Sequence, residues 1–152
     1  MVSCPFCNVS ENDAFFSSSN FLAIYNLAPI LPGHSLIIPR KHKESLFELS
    51  DDELGEFMKL GRDVAKILSY ELNTDAFDWT IQEKEAAGQT VPHLHLHVIP
   101  RRLNDLPSPG DWFQELEKSK AEDSRKRKKL SCDQLSAITK RLKGVAEGLK
   151  KK

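Results

Sequence analysis

The sequence predicts an α+β fold: an antiparallel sheet of about five strands, one long helix, and further helices at the C-terminal end. Three observations support this prediction. Short apolar runs bounded by Ser, Asn, Pro and Gly predict strands on both sides of residues 50–72. That segment has a helical periodicity, and a second helical stripe lies near the end of the chain. The 152 residues suffice for one domain with a substantial core.

The first strands are marked by apolar runs and their turns. Residues 15–16 and 21–25 flank the polar residues 17–20, which predicts a hairpin or a first strand pair. The next strand is predicted over residues 34–38, where Pro39 ends it. Together these elements form one half of the predicted sheet.

The long helix has a clear N-terminal signal. Ser50 and Glu53 form a predicted capping box, and the acidic residues of the first turn suit the helix dipole. Apolar residues then recur at helical spacing up to about residue 72, namely Leu54, Phe57, Met58, Ala65, Leu68 and Leu72. A strand over residues 77–82 is predicted to follow this helix.

Three histidines alternate with apolar residues in the last predicted strand, over residues 93–100. Alternation with period two places His93, His95 and His97 on one face of the strand, and the intervening leucines face the core. Histidine has an unperturbed pKa of about 6.5, so it can act as a neutral nucleophile, a cationic donor or a metal ligand. The three aligned histidines therefore predict a metal site or a reaction centre. The alternative is a solvent-exposed face whose histidines have no functional role.

The C-terminal part is basic and helical. Residues 117–152 hold 13 of the 22 Lys and Arg but only 5 of the 22 Asp and Glu, although the whole chain has no net charge. We expect a short helix over residues 112–121, a disordered stretch over 122–129 and a helix over 131–149. We therefore divide the chain into a domain of residues 1–116 and a basic extension of residues 117–152.

The stripe of the last helix and the basic run each have two interpretations. Apolar residues recur at spacings of three and four, which predicts packing on the body or on a partner subunit: Leu135, Ile138, Leu142, Val145 and Leu149. Residues 124–129 form either a solvated segment or a nucleic-acid patch, and the solvated segment is the more frequent case for such runs.

The composition indicates a cytoplasmic protein that does not enter membranes. The first 13 residues have no basic and apolar leader pattern, and no apolar run approaches the length of a membrane span. Three cysteines do not make a disulfide framework. The pair Cys4 and Cys7 suggests metal binding or redox chemistry in a reducing compartment, or two small buried thiols.

The segment of residues 89–99 resembles the histidine triad (HIT) superfamily of nucleotide hydrolases and transferases. The resemblance extends to Asn26, to the PGHSLIIP segment that contains His34, and to Gln82, and it covers about residues 4–102. AGQTV before the triad and Pro-Arg after it are most similar to the fragile histidine triad branch, which hydrolyses diadenosine polyphosphates. Residues 83–87 depart from that branch, in which Asp-Gly-Pro-Glu-Ala is usual.

The resemblance implies a role for each histidine of the cluster. His95 is the expected nucleophile, forming a covalent nucleotidyl-histidine that water hydrolyses. His97 is expected to hydrogen-bond the α-phosphate oxygens, and His34 to contact the same cluster and fix the reactive tautomer. His93 completes the catalytic set. The expected nucleotide-binding residues are Asn26, Leu36, Gln82, Gln89, Thr90, Val91 and His97.

A second part of the resemblance concerns metal. Other members of the superfamily use a similar Cys pair, a histidine after the second strand and the first triad histidine to hold zinc. This implies a structural zinc on Cys4, Cys7, His42 and His93. The resemblance leaves open whether Mg²⁺ enters with the substrate.

The expected function is a dinucleoside polyphosphate hydrolase that releases AMP. An adenosine 5′-phosphoramidase of the Hint type is the runner-up, although Thr90 and the Pro-Arg pair after the triad favour the first. A nucleotide- or nucleic-acid-binding module with incidental turnover is a third interpretation, based on the basic tail. We expect a purine nucleotide as substrate and a homodimer as the assembly.

Overall fold

A computed structural model describes residues 4–118 and 127–151 and contains a five-stranded antiparallel sheet. The strands follow the order β1-β2-β3-β5-β4, so β1 and β4 are the edges. This confirms the predicted fold class and strand number. The bounds are β1 Ala14–Ser17, β2 Phe21–Tyr25, β3 Ser35–Pro39, β4 Ala76–Ile81 and β5 Leu96–Arg101.

The helices are α1 (Asp51–Leu72), α2 (Trp112–Glu117) and α3 (Cys132–Lys150). Both long helices begin at complete capping boxes, Ser50 with Glu53 and Ser131 with Gln134, as serine N-caps followed by an acid or amide predict. The described residues contain no helix with the length and apolar content needed to cross a bilayer.

The two faces of the sheet have different partners. Helices α1 and α3 cover one face, where Phe57, Leu68 and Leu142 join the main apolar core. The opposite face presents Ile24 and Leu36, against which the N-terminal Phe6 packs. His97 pairs with Leu36 across the β3–β5 ladder and therefore lies on this second face. The fold thus packs the two long helices against one side of the sheet and places the histidine on the other.

The strand that carries the histidines is shorter at its N-terminal end than predicted. Strand β5 begins at Leu96, whereas a strand from residue 93 was expected. The backbone N–H of Leu94 donates to the carbonyl of Lys43 at 2.6 Å, outside the β3 ladder, and that of His93 donates to Val91 at 2.8 Å. These bonds replace ladder pairing. The alternation still holds, because Leu94 and Leu96 both enter the main core.

The C-terminal segment differs from the expectation of a disordered stretch over residues 122–129. Arg127 is half-buried and donates from Nε to the carbonyl of Ala28 at 2.7 Å, and the backbone N–H of Leu130 donates to Leu27 at 2.8 Å. Residues 122–126, and residues 119–121 of the expected short helix, lie outside the described part. The predicted boundary between residues 116 and 117 stays a prediction, although Leu142 of α3 belongs to the main core.

Candidate active site and metal centre

A cavity of about 410 Å³ lies on the face of the sheet that presents Leu36 and His97. Its volume falls in the range of small-molecule sites. Most of the residues predicted to bind nucleotide line it: Asn26, Leu36, Gln82, Thr90, Val91 and His97, together with His95. Leu36 and His97 lie in strands β3 and β5, Asn26 directly follows β2, and the other four come from the segment between β4 and β5. The structure therefore brings the predicted nucleophile and the predicted nucleotide contacts to one place.

His95 is held in a defined tautomer. Its Nδ1 lies 2.7 Å from the backbone carbonyl of His93, so Nδ1 carries the proton and donates it. The side chain is buried, and this desolvation lowers its pKa below the ordinary value. A neutral ring with Nδ1 protonated keeps the lone pair on Nε2. The residue thus presents an unprotonated nitrogen in the wall of the cavity without prior loss of a proton.

His34 and His97 form a hydrogen-bonded pair, in which His97 lines the cavity and His34 lies behind it. The backbone N–H of Ile30 donates to Nδ1 of His34 at 3.1 Å, which leaves the proton of the neutral His34 ring on Nε2. Burial lowers the pKa of His34 to about 3. Its Nε2 then donates to Nδ1 of His97 at 2.9 Å. His97, whose pKa is also lowered well below its ordinary value by burial, therefore carries its own proton on Nε2.

Asn26 lies beside this pair. Its Oδ1 accepts from the backbone N–H of Ala28 at 2.9 Å, which orients the amide. Its Nδ2 lies 3.1 Å from Nε2 of His34. Both nitrogens carry protons in the arrangement above, so this approach is a contact between two donors and not a hydrogen bond. The amide hydrogens of Asn26 are therefore left for an acceptor in the cavity.

The loop after β4 is fixed by its own side chains. Gln89 accepts from the backbone N–H of Lys84 at 2.8 Å and donates to the carbonyl of His93 at 3.4 Å. It is absent from the described residues that line the cavity, unlike its neighbour Thr90. Gly88 has φ +93°, and a Cβ there would come within 2.8 Å of Gln82 Nε2. The glycine therefore lets the loop approach Gln82 without displacing it.

Two cysteines of the N-terminal segment and two histidines that lie beside it form a group that can hold a metal ion: Cys4, Cys7, His42 and His93. Their ligand atoms all lie within 4.8 Å of one another. Nδ1 of His93 is 3.4 Å from Sγ of Cys4, and Nδ1 of His42 is 3.3 Å from Sγ of Cys7. A tetrahedral zinc with ordinary bond lengths requires S···N separations of about 3.6 Å. The structure therefore brings together the four predicted ligands with the spacing that such a metal needs.

His93 connects this group to the catalytic residues. Its Nε2 donates to the carbonyl of Pro39 at 2.9 Å, so Nδ1 keeps the lone pair that faces the thiols. Its backbone carbonyl is the acceptor that fixes the tautomer of His95. His42 in turn has Glu44 at 3.5 Å from Nε2. One residue thus joins the metal-capable group through its side chain and holds the predicted nucleophile through its backbone carbonyl.

The cavity also contains residues that the sequence did not indicate. Phe6 meets the ring of His95 edge-on, with ring centroids 5.3 Å apart. Asp13 and Leu135 line the cavity from the N-terminal loop and from α3, while Leu116 comes from α2 and Arg127 from the segment before α3. Leu135 belongs to the apolar stripe of the last helix, but no local pattern marks the other residues for the site. Arg127 stands in the basic run that the sequence indicates as a solvated segment.

The fold and the histidine cluster define a site of the histidine triad class, and comparison with known proteins agrees. The family model for the HIT domain matches residues 8–104, so the chain belongs to the HIT domain family. It is 30% identical over 112 residues to the bis(5′-adenosyl)-triphosphatase of Dictyostelium discoideum, covering 74% of this chain and 75% of that protein.

Further relatives support this assignment. The bis(5′-nucleosyl)-tetraphosphatase [asymmetrical] of Schizosaccharomyces pombe is 36% identical over 108 residues, which cover 71% of this chain and 59% of that protein. A Plasmodium falciparum diadenosine triphosphate hydrolase, solved with cyclomarin A, superimposes with TM-score 0.74 at 25% identity, covering 92% of this chain and 80% of that chain. A zinc-bound histidine triad family protein from Mycobacterium smegmatis has TM-score 0.73 at 27% identity, with coverages of 98% and 96%.

Proposed function

We propose that the protein is a dinucleoside polyphosphate hydrolase that releases AMP from diadenosine tri- or tetraphosphate. The observation that carries this proposal is the His95 ring, whose Nδ1 donates to the His93 carbonyl and whose Nε2 has no hydrogen-bond partner among the described residues. The names of the two curated relatives support the substrate class.

In the proposed reaction, Nε2 of His95 attacks the α-phosphorus. A P–N bond forms, and the P–O bond to the leaving nucleotide breaks, which gives a nucleotidyl-histidine. His97 stabilises the phosphate by donating from Nε2, because its Nδ1 already accepts from His34. Water then attacks the same phosphorus, the P–N bond breaks, and AMP leaves with His95 restored.

The proposed nucleotide contacts follow from the cavity wall. Asn26 offers its amide hydrogens to the ribose, and the apolar Leu36 packs against the base. Gln82 and the backbone of Thr90 and Val91 offer donors to the phosphates on the other side of the histidines. Gln89 supports this loop through its bonds to Lys84 and to the His93 carbonyl.

We propose structural zinc on Cys4, Cys7, His42 and His93. Two thiolates and two imidazoles form a closed tetrahedral set that leaves no position for substrate. When bound, the ion would cross-link the N-terminal segment to the triad segment. It takes no part in the chemistry, and thiol ligands that must stay reduced suit a cytoplasmic location.

The assembly we propose is a homodimer formed at strand β4. This strand is an edge of the sheet, and its Trp79 is 42% exposed although its ring lies against Gly61 of α1. Leu54 and Met58 are also exposed on the same side of α1 as Gly61. An apolar stripe beside an unpaired strand edge is suited to pairing with a second copy of the same surface.

Product analysis by HPLC tests the proposed function. Purified protein is given diadenosine triphosphate, diadenosine tetraphosphate and adenosine 5′-phosphoramidate separately, with His95→Ala as the control variant. We expect AMP release from the dinucleotides at a much higher kcat/KM than from the phosphoramidate, and none from the variant. Preference for the phosphoramidate would assign the protein to the Hint-type activity instead. Absence of turnover on all three would contradict the hydrolase proposal.

A further inference from the structure

Arg127 is built into the wall of the cavity although it lies beyond the residues that match the family model. Its Nε donates to the carbonyl of Ala28 at 2.7 Å, and its Nη1 donates to the carbonyls of Glu115 and Leu116. The backbone three residues past it is fixed as well, since the backbone N–H of Leu130 donates to the Leu27 carbonyl at 2.8 Å. These bonds hold the guanidinium in one orientation against the loop that carries Asn26.

The charge of this side chain is unusual in its surroundings. Among the described residues that line the cavity, Arg127 is the only lysine or arginine. His34 and His97 are neutral near pH 7, because burial lowers the pKa of each. The positive charge of Arg127 contributes to this lowering at His34 and His97. A polyphosphate ligand carries several negative charges, so its charge must be balanced by this residue, by backbone dipoles or by a bound cation.

The guanidinium is also incompletely compensated. It is half-buried, and desolvation lowers its pKa, with Glu115 as the one acidic group that opposes this shift. Its bonds to described residues use Nε and Nη1 and end on neutral carbonyls. Nη2 makes no hydrogen bond within residues 4–118 and 127–151, so no described residue occupies its two charged N–H groups.

We propose that Arg127 is a substrate-binding residue that holds a phosphate of the bound nucleotide on the His97 side of the cavity. The proposal rests on the proposed function in one respect, namely that the ligand is a nucleotide. The C-terminal segment is then part of the active site: it contributes the permanent positive charge that the histidine cluster lacks. Arginine suits this role because its fixed fork can bind two phosphate oxygens at once.

Calorimetric titration measures the affinity for three ligands and tests the proposal without turnover. The ligands are adenosine, AMP and α,β-methylene-ADP, whose methylene bridge replaces the scissile oxygen. The variants are Arg127→Gln, which keeps a polar side chain without charge, and Arg127→Lys, which keeps the charge without the fork. Lys129→Gln is the matched control, since it removes one charge from an exposed residue two positions away. Thermal unfolding of each variant reports whether the fold is retained.

We expect Arg127→Gln to weaken AMP or α,β-methylene-ADP binding by about 10- to 100-fold and to leave adenosine binding within a factor of about two. Arg127→Lys should recover part of the loss, and Lys129→Gln should match the wild type. Loss confined to α,β-methylene-ADP would place the contact at the β-phosphate, and loss for both nucleotides at the α-phosphate. Equal loss for all three ligands, as a purely structural role predicts, would overturn the proposal, as would no loss.

The same experiment separates this inference from the proposed function. A wild-type protein that hydrolyses diadenosine triphosphate, combined with unchanged nucleotide affinity in Arg127→Gln, would overturn the inference alone. A phosphate-dependent loss of affinity in a protein that turns over no dinucleotide would overturn the hydrolase proposal alone. Failure of the wild type to bind either nucleotide would contradict both.

Discussion

Nε2 of His34 lies 2.9 Å from Nδ1 of His97, and the proton between them belongs to His34. The backbone N–H of Ile30 decides this, because it occupies the other nitrogen of His34 as a donor. A hydrogen bond from the backbone to His34 thus determines which nitrogen of His97 carries a proton toward the cavity. His34 does not line the cavity but touches His97 and Asn26, which do, so we predict that it is a positioning residue.

Substitution of His34 tests this relationship. His34→Leu removes the donor and lets His97 change tautomer, so we expect kcat to fall by about 10- to 100-fold while KM changes little. His34→Gln retains an N–H donor close to the position of Nε2 and should recover part of the rate. Steady-state kinetics on diadenosine triphosphate separate the two parameters. Equal rates for the two variants would argue against a role in orienting His97.

Burial of a neutral His34 also predicts a pH-dependent stability. The folded pKa is about 3 against about 6.5 in the unfolded chain, so the unfolded state takes up the proton first as the pH falls. Stability is complete above pH 6.5 and decreases below it. The groups that face His34, namely His97, His95 and the positive Arg127, all disfavour its protonation.

Denaturant unfolding at pH 7 and pH 5 measures this effect. His34 alone should account for a loss of about 2 kcal/mol in the free energy of unfolding between these two values. His34→Gln has no proton to take up there and should lose correspondingly less than the wild type. The same loss in both proteins would mean that His34 does not titrate as its burial requires.

The metal group predicts a difference between two single cysteine substitutions. Cys4→Ser should lower zinc below one ion per chain and reduce the free energy of unfolding by on the order of 3 kcal/mol, because ligand loss frees the N-terminal segment. Cys132→Ser is the control, since that exposed cysteine begins α3 outside the group. Elemental analysis and thermal unfolding provide the readouts. Metal-free wild-type protein, purified without chelator, would refute the zinc proposal.

The fold and most of the site could be predicted from the sequence because the signals for them are local. The capping boxes at Ser50 and Ser131 and the alternation after residue 93 each depend on residues a few positions apart. Most of the predicted nucleotide residues also came together in the cavity, although the resemblance to the family supplied their roles. Those roles stay predictions.

The parts that sequence reasoning missed depend on long-range contacts. Strand β5 starts late because Leu94 donates to Lys43, a pairing of two segments 51 positions apart in the sequence. Arg127 is fixed by Ala28, which lies 99 positions earlier. A basic run has the same local appearance whether its arginine faces solvent or a cavity, so no window of sequence could have distinguished the two.

The proposed dimer predicts a specific effect of charge at the β4 edge. Trp79→Lys places a cation in the apolar stripe and should give a monomer in light scattering, since a buried unpaired charge opposes association. Leu103→Lys is the control, because Leu103 is 96% exposed in the turn after β5 and does not belong to the stripe of Leu54, Met58 and Trp79. A wild-type monomer, or a dimer that survives Trp79→Lys, would contradict this interface.

The identity of the nucleophile is tested most directly by trapping the intermediate. Diadenosine triphosphate labelled with ³²P at the α-phosphate is mixed with the enzyme, quenched in alkaline denaturant within the first turnovers, and the labelled peptide is identified. We predict label on the wild-type peptide that contains His95 and none on His95→Ala, which should also lose about 1,000-fold or more in turnover. Turnover by the wild type without any labelled histidine, or label that persists in His95→Ala, would contradict nucleophilic attack by this residue.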